Sequence, residues 1–428
     1  MLQKRRIKLA TFTLTGLVLV TVIGLVSVPR RVFGQAVPND QQIPAKFIVG
    51  EIPQSILDVK TERDYIDETT KTIAPEIVGY DDIVVHEDSG LAYLTGRDGW
   101  MWKVDLKTGE AERFVDVPLM PAGAHQFPGD NDEIIITCSR RGGGIYPENE
   151  QPGVYKLNVA TKKVTPLILR VPKTEDVSAQ TTYSPTEKRF KLSELNNTNS
   201  RPIALANDAA ISADGKRIYF TESYVVDGAT MGGINSLYQV VMLGTTGRLW
   251  MLNTESQTIS LIANGFTFTD GVLLEENDGD PEKSLLLADN AKFQIHRIHL
   301  AGDMAGKHEI IWQDLPGLVD ALHRDVDGRI WVSIIQNHTP QLVYLHGNPE
   351  LKPMMIDHPQ LIAPLNTTSI LVLSSDASQP LWYTEHSQTK VTSIPTAITS
   401  KNGVYLANFS AKTPGLHRMD NPFDPFNK

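Results

Sequence analysis

The chain predicts an all-β fold, a six-bladed β-propeller, and three observations carry that prediction. First, six Asp- or Asn-bearing turns each lead into a short apolar strand. They are Asp88-Ser89-Gly90 before LAYLT, Asp132-Glu133 before IIIT, Asp214-Gly215-Lys216-Arg217 before IYFT, Asn277-Asp278-Gly279-Asp280 ahead of SLLLA, Asp327-Gly328-Arg329 before IWVS, and Asp376-Ala377-Ser378-Gln379-Pro380 before LWYT. Second, the copies recur every 40 to 80 residues or so, a spacing typical of propeller blades. Third, Asp81, His125, Asn207, Asp270, Asp320 and Ser369 each stand seven residues before one of these turns. Equal offsets from equivalent turns place equivalent residues around one axis.

Each copy reads as a four-stranded meander. In the first, DIVVHE, LAYLTG, WMWKVDL and EAERFVDV are separated by Gly- and Asp-containing connections of the kind that tight hairpins need. The fourth repeats this order as GVLLE, SLLLAD, FQIHRIHL and HEIIWQD. The blades are expected near 78–118, 119–170, 200–263, 264–314, 315–356 and 362–415, with Phe47–Gly50 as the segment that closes the ring. Two long excursions, 171–200 and 223–247, are candidates for binding loops or for plain surface extensions.

The expected organisation is a stub with an anchor or signal peptide (1–36), a lead-in with the ring-closing strand (37–75), the propeller (76–415) and a tail (416–428). Lys4, Arg5, Arg6 and Lys8 precede an uncharged, largely apolar run at residues 9–28. About 20 such residues can cross a bilayer as a helix. The basic cluster would keep the N-terminus in the cytoplasm, so the expectation is a membrane-anchored propeller on the extracytoplasmic side. If the segment is a signal peptide cleaved near Gly34 or Ala36, the propeller is secreted.

The formal net charge of −10 and the pI near 5.6 argue against a nucleic-acid partner. A protein partner is not specified by anything in the sequence. The single cysteine, Cys138, excludes a disulfide framework and a thiolate zinc cluster.

The innermost strand of a propeller blade runs along the central channel. Asp81, Asn207, Asp270 and Asp320 each begin such a strand, in GYDDIVV, ANDAAIS, FTDGVLL and LVDALHR. Three carboxylates and an amide oxygen gathered in one mouth would repel one another, and a hard cation relieves that repulsion. All-oxygen ligation selects calcium or magnesium, and calcium tolerates the irregular geometry of four separate blades. One axial Ca2+ site is therefore expected. Asp82 and Asp208, one residue further on, are either contributors to it or residues that shape the strand-entry turns.

Several segments resemble the strictosidine synthase-like branch of the six-bladed propellers, within the superfamily that includes senescence-marker/gluconolactonase proteins and paraoxonases. They are ALANDAAISADGKRIYFTES, TTGRLWMLN, FTDGVLLE, LLLADNAKFQIHRIHLAGDMAG and LPGLVDALHRDVDGRIWVS. The resemblance covers about residues 76–410. The family's Gly-x-Glu is here Gly79-Tyr80-Asp81, its Asn-Asp is Asn207-Asp208, its Asn-Gly is Asp270-Gly271, and its Pro-Asp-Asn is Val319-Asp320-Ala321. Asp in place of Asn at 270 adds a negative charge, which would tighten calcium and lower its Lewis acidity.

The resemblance implies a calcium-dependent hydrolase of a small-molecule lactone or ester. Asp320 would be a metal ligand that doubles as base, and His125 in Gly123-Ala124-His125 an alternative base. A non-catalytic, calcium-stabilised propeller that binds a ligand or protein is the other reading. Strictosidine synthesis itself is not expected, because the stretch Thr389–Ser400, which matches the segment holding that enzyme's catalytic Glu, has no carboxylate.

Overall fold

The computed structural model describes residues 45–277, 280–358 and 367–424. The proposed membrane or signal segment at residues 9–28 lies outside them. Among the described residues no helix is long and apolar enough to cross a membrane.

Six four-stranded antiparallel units surround one axis. Their innermost strands are Tyr80–His86, Met120–Gln126, Ala206–Ile211, Thr269–Asn277, Gly317–Arg324 and Ala397–Ser400. Strand alternation explains how the units stack, because successive side chains leave a strand on opposite faces. In blade 2, Ile134 and Ile136 pack with Val84, Tyr93 and Met101 of blade 1, while Ile135 between them packs with Ile218, Phe220 and Trp250 of blade 3. In blade 4, Leu285 and Leu287 turn to Tyr219 and Leu249, and Leu286 turns to Leu322 and Val332. Trp331, Ile370 and Trp382 meet Val404 and Leu406 between blades 5 and 6, and Tyr405 meets Ile83 and Leu94 between blades 6 and 1. The core is thus a ring of six apolar seams rather than one centre, which lets a long chain fold as a single domain.

The last two blades differ from the sequence expectation. After its second strand, Ile330–Asn337, blade 5 makes an excursion with helices Pro340–Gly347 and Lys352–Asp357, then returns as Thr368–Leu373 and Pro380–His386. The turn at Asp376 therefore joins the outer two strands of blade 5, and Ser369 lies on its third strand, away from the axis. With the helical excursion between them, the turns at Asp327 and Asp376 stand 49 residues apart (376 − 327), the spacing of a repeat, which made one blade resemble two. Blade 6 consists of Ala397–Ser400, Gly403–Leu406 and Leu416–Met419, completed by Lys71–Ile73. The propeller accordingly extends through 419, beyond the expected limit at 415.

Lys71–Ile73 closes the ring, pairing antiparallel with Leu416–Arg418. The expected closing segment, Phe47–Gly50, instead lies over one end of the ring. The Phe47 amide donates to the His346 carbonyl at 2.8 Å, and the Gly50 amide donates to Asp314 Oδ1 at 2.7 Å. Of the two long excursions, 171–200 widens blade 3: Thr181–Thr182 and Arg189–Lys191 pair with its outermost strand. The other, 223–247, contains the helix Gly233–Met242 and covers the channel mouth.

Candidate active site

Each inner strand of blades 1 to 5 is broken by a register shift at the same place: between Tyr80 and Ile83, Pro121 and Ala124, Ala206 and Ala209, Thr269 and Val272, and Val319 and Leu322. A β-bulge leaves residues unpaired and re-aims their side chains. The two bulge residues are Asp81-Asp82, Ala122-Gly123, Asn207-Asp208, Asp270-Gly271 and Asp320-Ala321. In blades 1 and 3 the first residue of the pair faces one end of the channel and the second faces the other.

At the mouth, Asp81, Asn207, Asp270 and Asp320 line one cavity of about 290 Å³ together with Arg97 and Asn290. The four predicted residues are brought together. Asn207 and Asn290 donate to Asp270, the latter at 2.9 Å, and Asn290 also donates to the Val319 carbonyl at 2.8 Å. Burial pushes Asp81 up to about 7 despite the opposing charge of Arg97. Burial followed by carboxylate repulsion raises Asp270 and Asp320 well above the ordinary carboxylate range. Crowded carboxylates with oxygen-only side-chain donors suit a hard divalent cation, which would reverse both causes of these shifts. The rest of the cavity is mostly apolar, formed by Leu237, Val240 and Val241 of the covering helix, Phe268, Leu318 and Ile335, with Ser236, Gln336 and Ser393 among them.

His125 does not reach this mouth. The blade 2 bulge falls at Ala122-Gly123, so Ala122 is the counterpart of Asp81, and His125 lies three residues on, as His323 does after Asp320. The connection after the inner strand is longer in blade 2, residues 127–132 against 87–90 in blade 1, and counting back from Asp132 lands on His125, three residues beyond Ala122. His125 lines a wider cavity of about 760 Å³ at the far end of the channel, with Asp82, Asp208 and His323.

Potential ligand atoms of Asp82, His125 and Asp208 lie within 4.8 Å of one another. Their hydrogen bonds show a structural use. Asp82 Oδ1 accepts from the Ile83 amide and Oδ2 from the Ala124 amide of the next blade, both at 2.8 Å. Asp208 repeats this with the Ala209 amide at 2.7 Å and the Val272 amide of blade 4 at 2.9 Å. The hydroxyls of Thr95, Thr137 and Thr221 accept from the second bulge amides of blades 1 to 3. These carboxylates stitch adjacent blades together at the bulge. His125 Nε2 bonds Asp208 Oδ1 at 2.7 Å; burial would depress the imidazole, but the Asp208 and Asp82 charges outweigh it and raise its affinity for a proton. His323, buried beside His125, is pulled down to about 4.

Asn290 and Arg97 were not singled out by the sequence pattern. Asn290 sits in LLLADNAKF, within the segment that resembles the family, but outside the inner strand on which the offset argument rests. Arg97 reads as an ordinary hairpin residue. Glu385 belongs to the outer strand of blade 5, bonded to Lys60 and to the Tyr383 hydroxyl.

No protein-family model matches the chain. Its curated homologues include adipocyte plasma membrane-associated proteins: the Salmo salar protein is 22% identical over 267 residues, covering 62% of this chain and 56% of the relative, and the Homo sapiens protein is 26% identical over 149 residues, covering 35% and 34%. Strictosidine synthase-like 13 of Arabidopsis thaliana is 26% identical over 152 residues, covering 36% of this chain and 35% of that protein. The matched regions thus span about half of the salmon protein and about a third of the other two. Among solved structures, a gluconolactonase from Xanthomonas campestris superposes with TM-score 0.51 at 12% identity, covering 92% of this chain and 99% of that one. A luciferin-regenerating enzyme gives 0.50 at 10% identity, covering 83% and 95%. These likenesses establish the fold. The fold is that of a six-bladed β-propeller, with homologues among adipocyte plasma membrane-associated and strictosidine synthase-like proteins and structural neighbours of the gluconolactonase type.

Proposed function

We propose that this chain is a calcium-dependent hydrolase of a lactone or ester, acting at the mouth lined by Asp81, Asn207, Asp270 and Asp320. The observation that carries this reading is the convergence of those four residues in a largely apolar cavity covered by an inserted helix. The names of the gluconolactonase and the luciferin-regenerating enzyme are compatible with it.

Calcium held by Asp81, Asn207, Asp270 and Asp320 would supply Lewis acidity at the carbonyl oxygen. The chain's own groups supply the rest. Asp320, kept ionised once the cation offsets the burial and the Asp270 and Asp81 charges that otherwise favour its protonated form, takes a proton from the attacking water. The water oxygen bonds to the carbonyl carbon, the acyl C–O bond breaks, and the departing alkoxide receives the proton back. Asn207 and Asn290 hold Asp270 from two sides and fix its orientation in the mouth. Leu237, Val240 and Val241 exclude bulk water, which strengthens every charge interaction beneath them.

Residues 9–28 would anchor this enzyme in a membrane, a reading supported by the names of the adipocyte plasma membrane-associated homologues, and the basic residues before them would leave the propeller on the extracytoplasmic side.

The test is turnover of small lactones and aryl esters by the purified chain with calcium, after EDTA, and as Asp320→Ala. Activity lost in the last two conditions supports the proposal. Turnover that is absent throughout, or survives both treatments, overturns it. Calcium that raises the melting temperature without any turnover would instead favour the non-catalytic, metal-stabilised propeller.

A further inference from the structure

Among the described residues the mouth is lined by one positive side chain, Arg97, whose charge is felt by Asp81 but which makes no hydrogen bond or close ion pair there. Arg97 directly follows the second strand of blade 1, Leu91–Gly96, its amide bonded to the Gly79 carbonyl at 3.0 Å. Its guanidinium lies over the Phe409 ring, 4.3 Å from the centroid, and lines the same cavity as Asp81 and Asp320. Among the described residues, none of its donors makes a hydrogen bond or an ion pair, and Nε is buried without an acceptor. A planar group with five N–H donors, fixed against an aromatic face beside a cavity, is built to receive a planar anion.

Charge balance points the same way. Three carboxylates and one guanidinium leave the mouth at −2, which a divalent cation would neutralise. If Arg97 served only as a counter-ion to those carboxylates, it would pair with one of them. Instead Asp270 is bonded to the two asparagines, and Arg97 acts on Asp81 only through its charge, with no hydrogen bond to it. The remaining wall is mainly hydrocarbon, including Leu237, Val240, Phe268 and Leu318, with Ser236, Gln336 and Ser393 as its polar side chains, and so favours an apolar body over a polyhydroxylated one.

We propose that Arg97 is a specificity-determining residue that receives a carboxylate of the substrate, so that the substrate class is a small lactone or ester with an apolar body and one anionic group. This rests on the mouth being the substrate site, as proposed above. The guanidinium forms a forked pair with the carboxylate, and the aliphatic or aromatic body lies against the covering helix. Neutral analogues of the same shape lose that pair and bind less tightly.

The test is calorimetric, with two probes of equal shape, phenylacetate and phenylacetamide, added to the calcium-loaded full chain and to Arg97→Met and Arg97→Lys. Methionine keeps an apolar side chain over Phe409, and lysine keeps the charge. The expected result is that phenylacetate binds the unaltered chain more tightly than the amide does, loses about tenfold or more in affinity in Arg97→Met, and recovers part of it in Arg97→Lys. Amide binding should be unchanged across the three. The proposal is overturned if phenylacetate binds Arg97→Met as well as the unaltered chain, as it would were the carboxylate held by calcium alone. It is equally overturned if acid and amide bind alike, if neither binds, or if both are lost in both variants. Charge-selective binding without any ester or lactone turnover would sink the hydrolase reading and leave the Arg97 assignment standing.

Discussion

His125 of blade 2 and Asp208 of blade 3 share a 2.7 Å hydrogen bond at the far end of the channel, with Asp208 only one residue along the chain from Asn207 at the mouth. Asp208 also accepts from two backbone amides, one of them in blade 4, so it links three consecutive blades. Removing it leaves two buried N–H groups and an imidazole without their acceptor. Asp208→Ala should cost about 3 kcal/mol in chemical denaturation. In Asp208→Asn the His125 ring should titrate at lower pH in NMR than in the unaltered chain. A loss below about 1 kcal/mol would show that the link is incidental.

Gly123 stands where the blade 2 bulge meets blade 3. A Cβ there would lie 2.7 Å from Asp208 Oδ1 and 2.9 Å from the Asn207 carbonyl oxygen. Neither atom can retreat without disturbing the Asp208 link. Gly123→Ala should therefore destabilise the fold by about 2 kcal/mol, an overpacking cost that would appear as a lower denaturation midpoint. A midpoint equal to that of the unaltered chain would mean the seam between blades 2 and 3 is loose.

Stability should depend on pH with opposite signs in the absence and presence of calcium. Burial raises Asp81 to about 7 and Asp82 to about 6, and Asp208 and Asp82 outweigh burial to raise His125. Each raised group binds its proton more tightly in the folded state than in the unfolded chain. Its contribution is complete below its unfolded pKa and is lost as pH rises through the folded value. The calcium-free protein should therefore lose stability as pH increases from about 4 toward about 8. Glu222 runs the other way: it is fully buried, yet Arg201 holds it below the ordinary range, so its contribution disappears on acidification. With calcium the mouth carboxylates are held ionised, and the melting temperature should climb with pH instead. Parallel pH profiles with and without calcium would contradict the site.

Asp270 supplies the charge in which this mouth departs from the family pattern. Asp270→Asn should weaken calcium binding about tenfold in a calorimetric titration, because affinity at oxygen sites follows the number of ligand charges. For a hydrolase, the same variant should show a higher kcat when saturated with calcium, since a less neutralised cation polarises a carbonyl more strongly. Unchanged calcium affinity would remove Asp270 from the ligand set.

The architecture was readable because a blade is a local object: strand, tight turn, strand, with the Asp and Gly residues that such turns need. Four of the mouth residues were readable for the same reason, since Asp81, Asn207, Asp270 and Asp320 keep a constant distance from their turns. The pattern failed where local spacing and three-dimensional position part company. His125 was displaced by a longer connection in its own blade, and Ser369 by a helical excursion that split blade 5. Arg97 and Asn290 come from the other ends of strands, and only packing around the axis brings them to the mouth. Asp82 and Asp208 carry the right chemistry for a metal, but their oxygens are engaged by backbone amides of the neighbouring blades, which no spacing reveals.

The closure of the sixth blade has a consequence for biosynthesis. Thr72 and His417 lie on paired strands although 345 positions separate them. While the chain emerges from the ribosome, Lys71–Ile73 has no partner until Leu416–Met419 arrives. The early blades can form in order, but the seam of Tyr80 and Ile83 with Tyr405 and Leu416 stays open throughout. A nascent chain halted before residue 416 should be cut readily by protease in its blade 1 region, and release of a few more residues should abolish that cutting. Quality control during synthesis would then read one event, the docking of the last strand on the first, as the sign that the protein is finished.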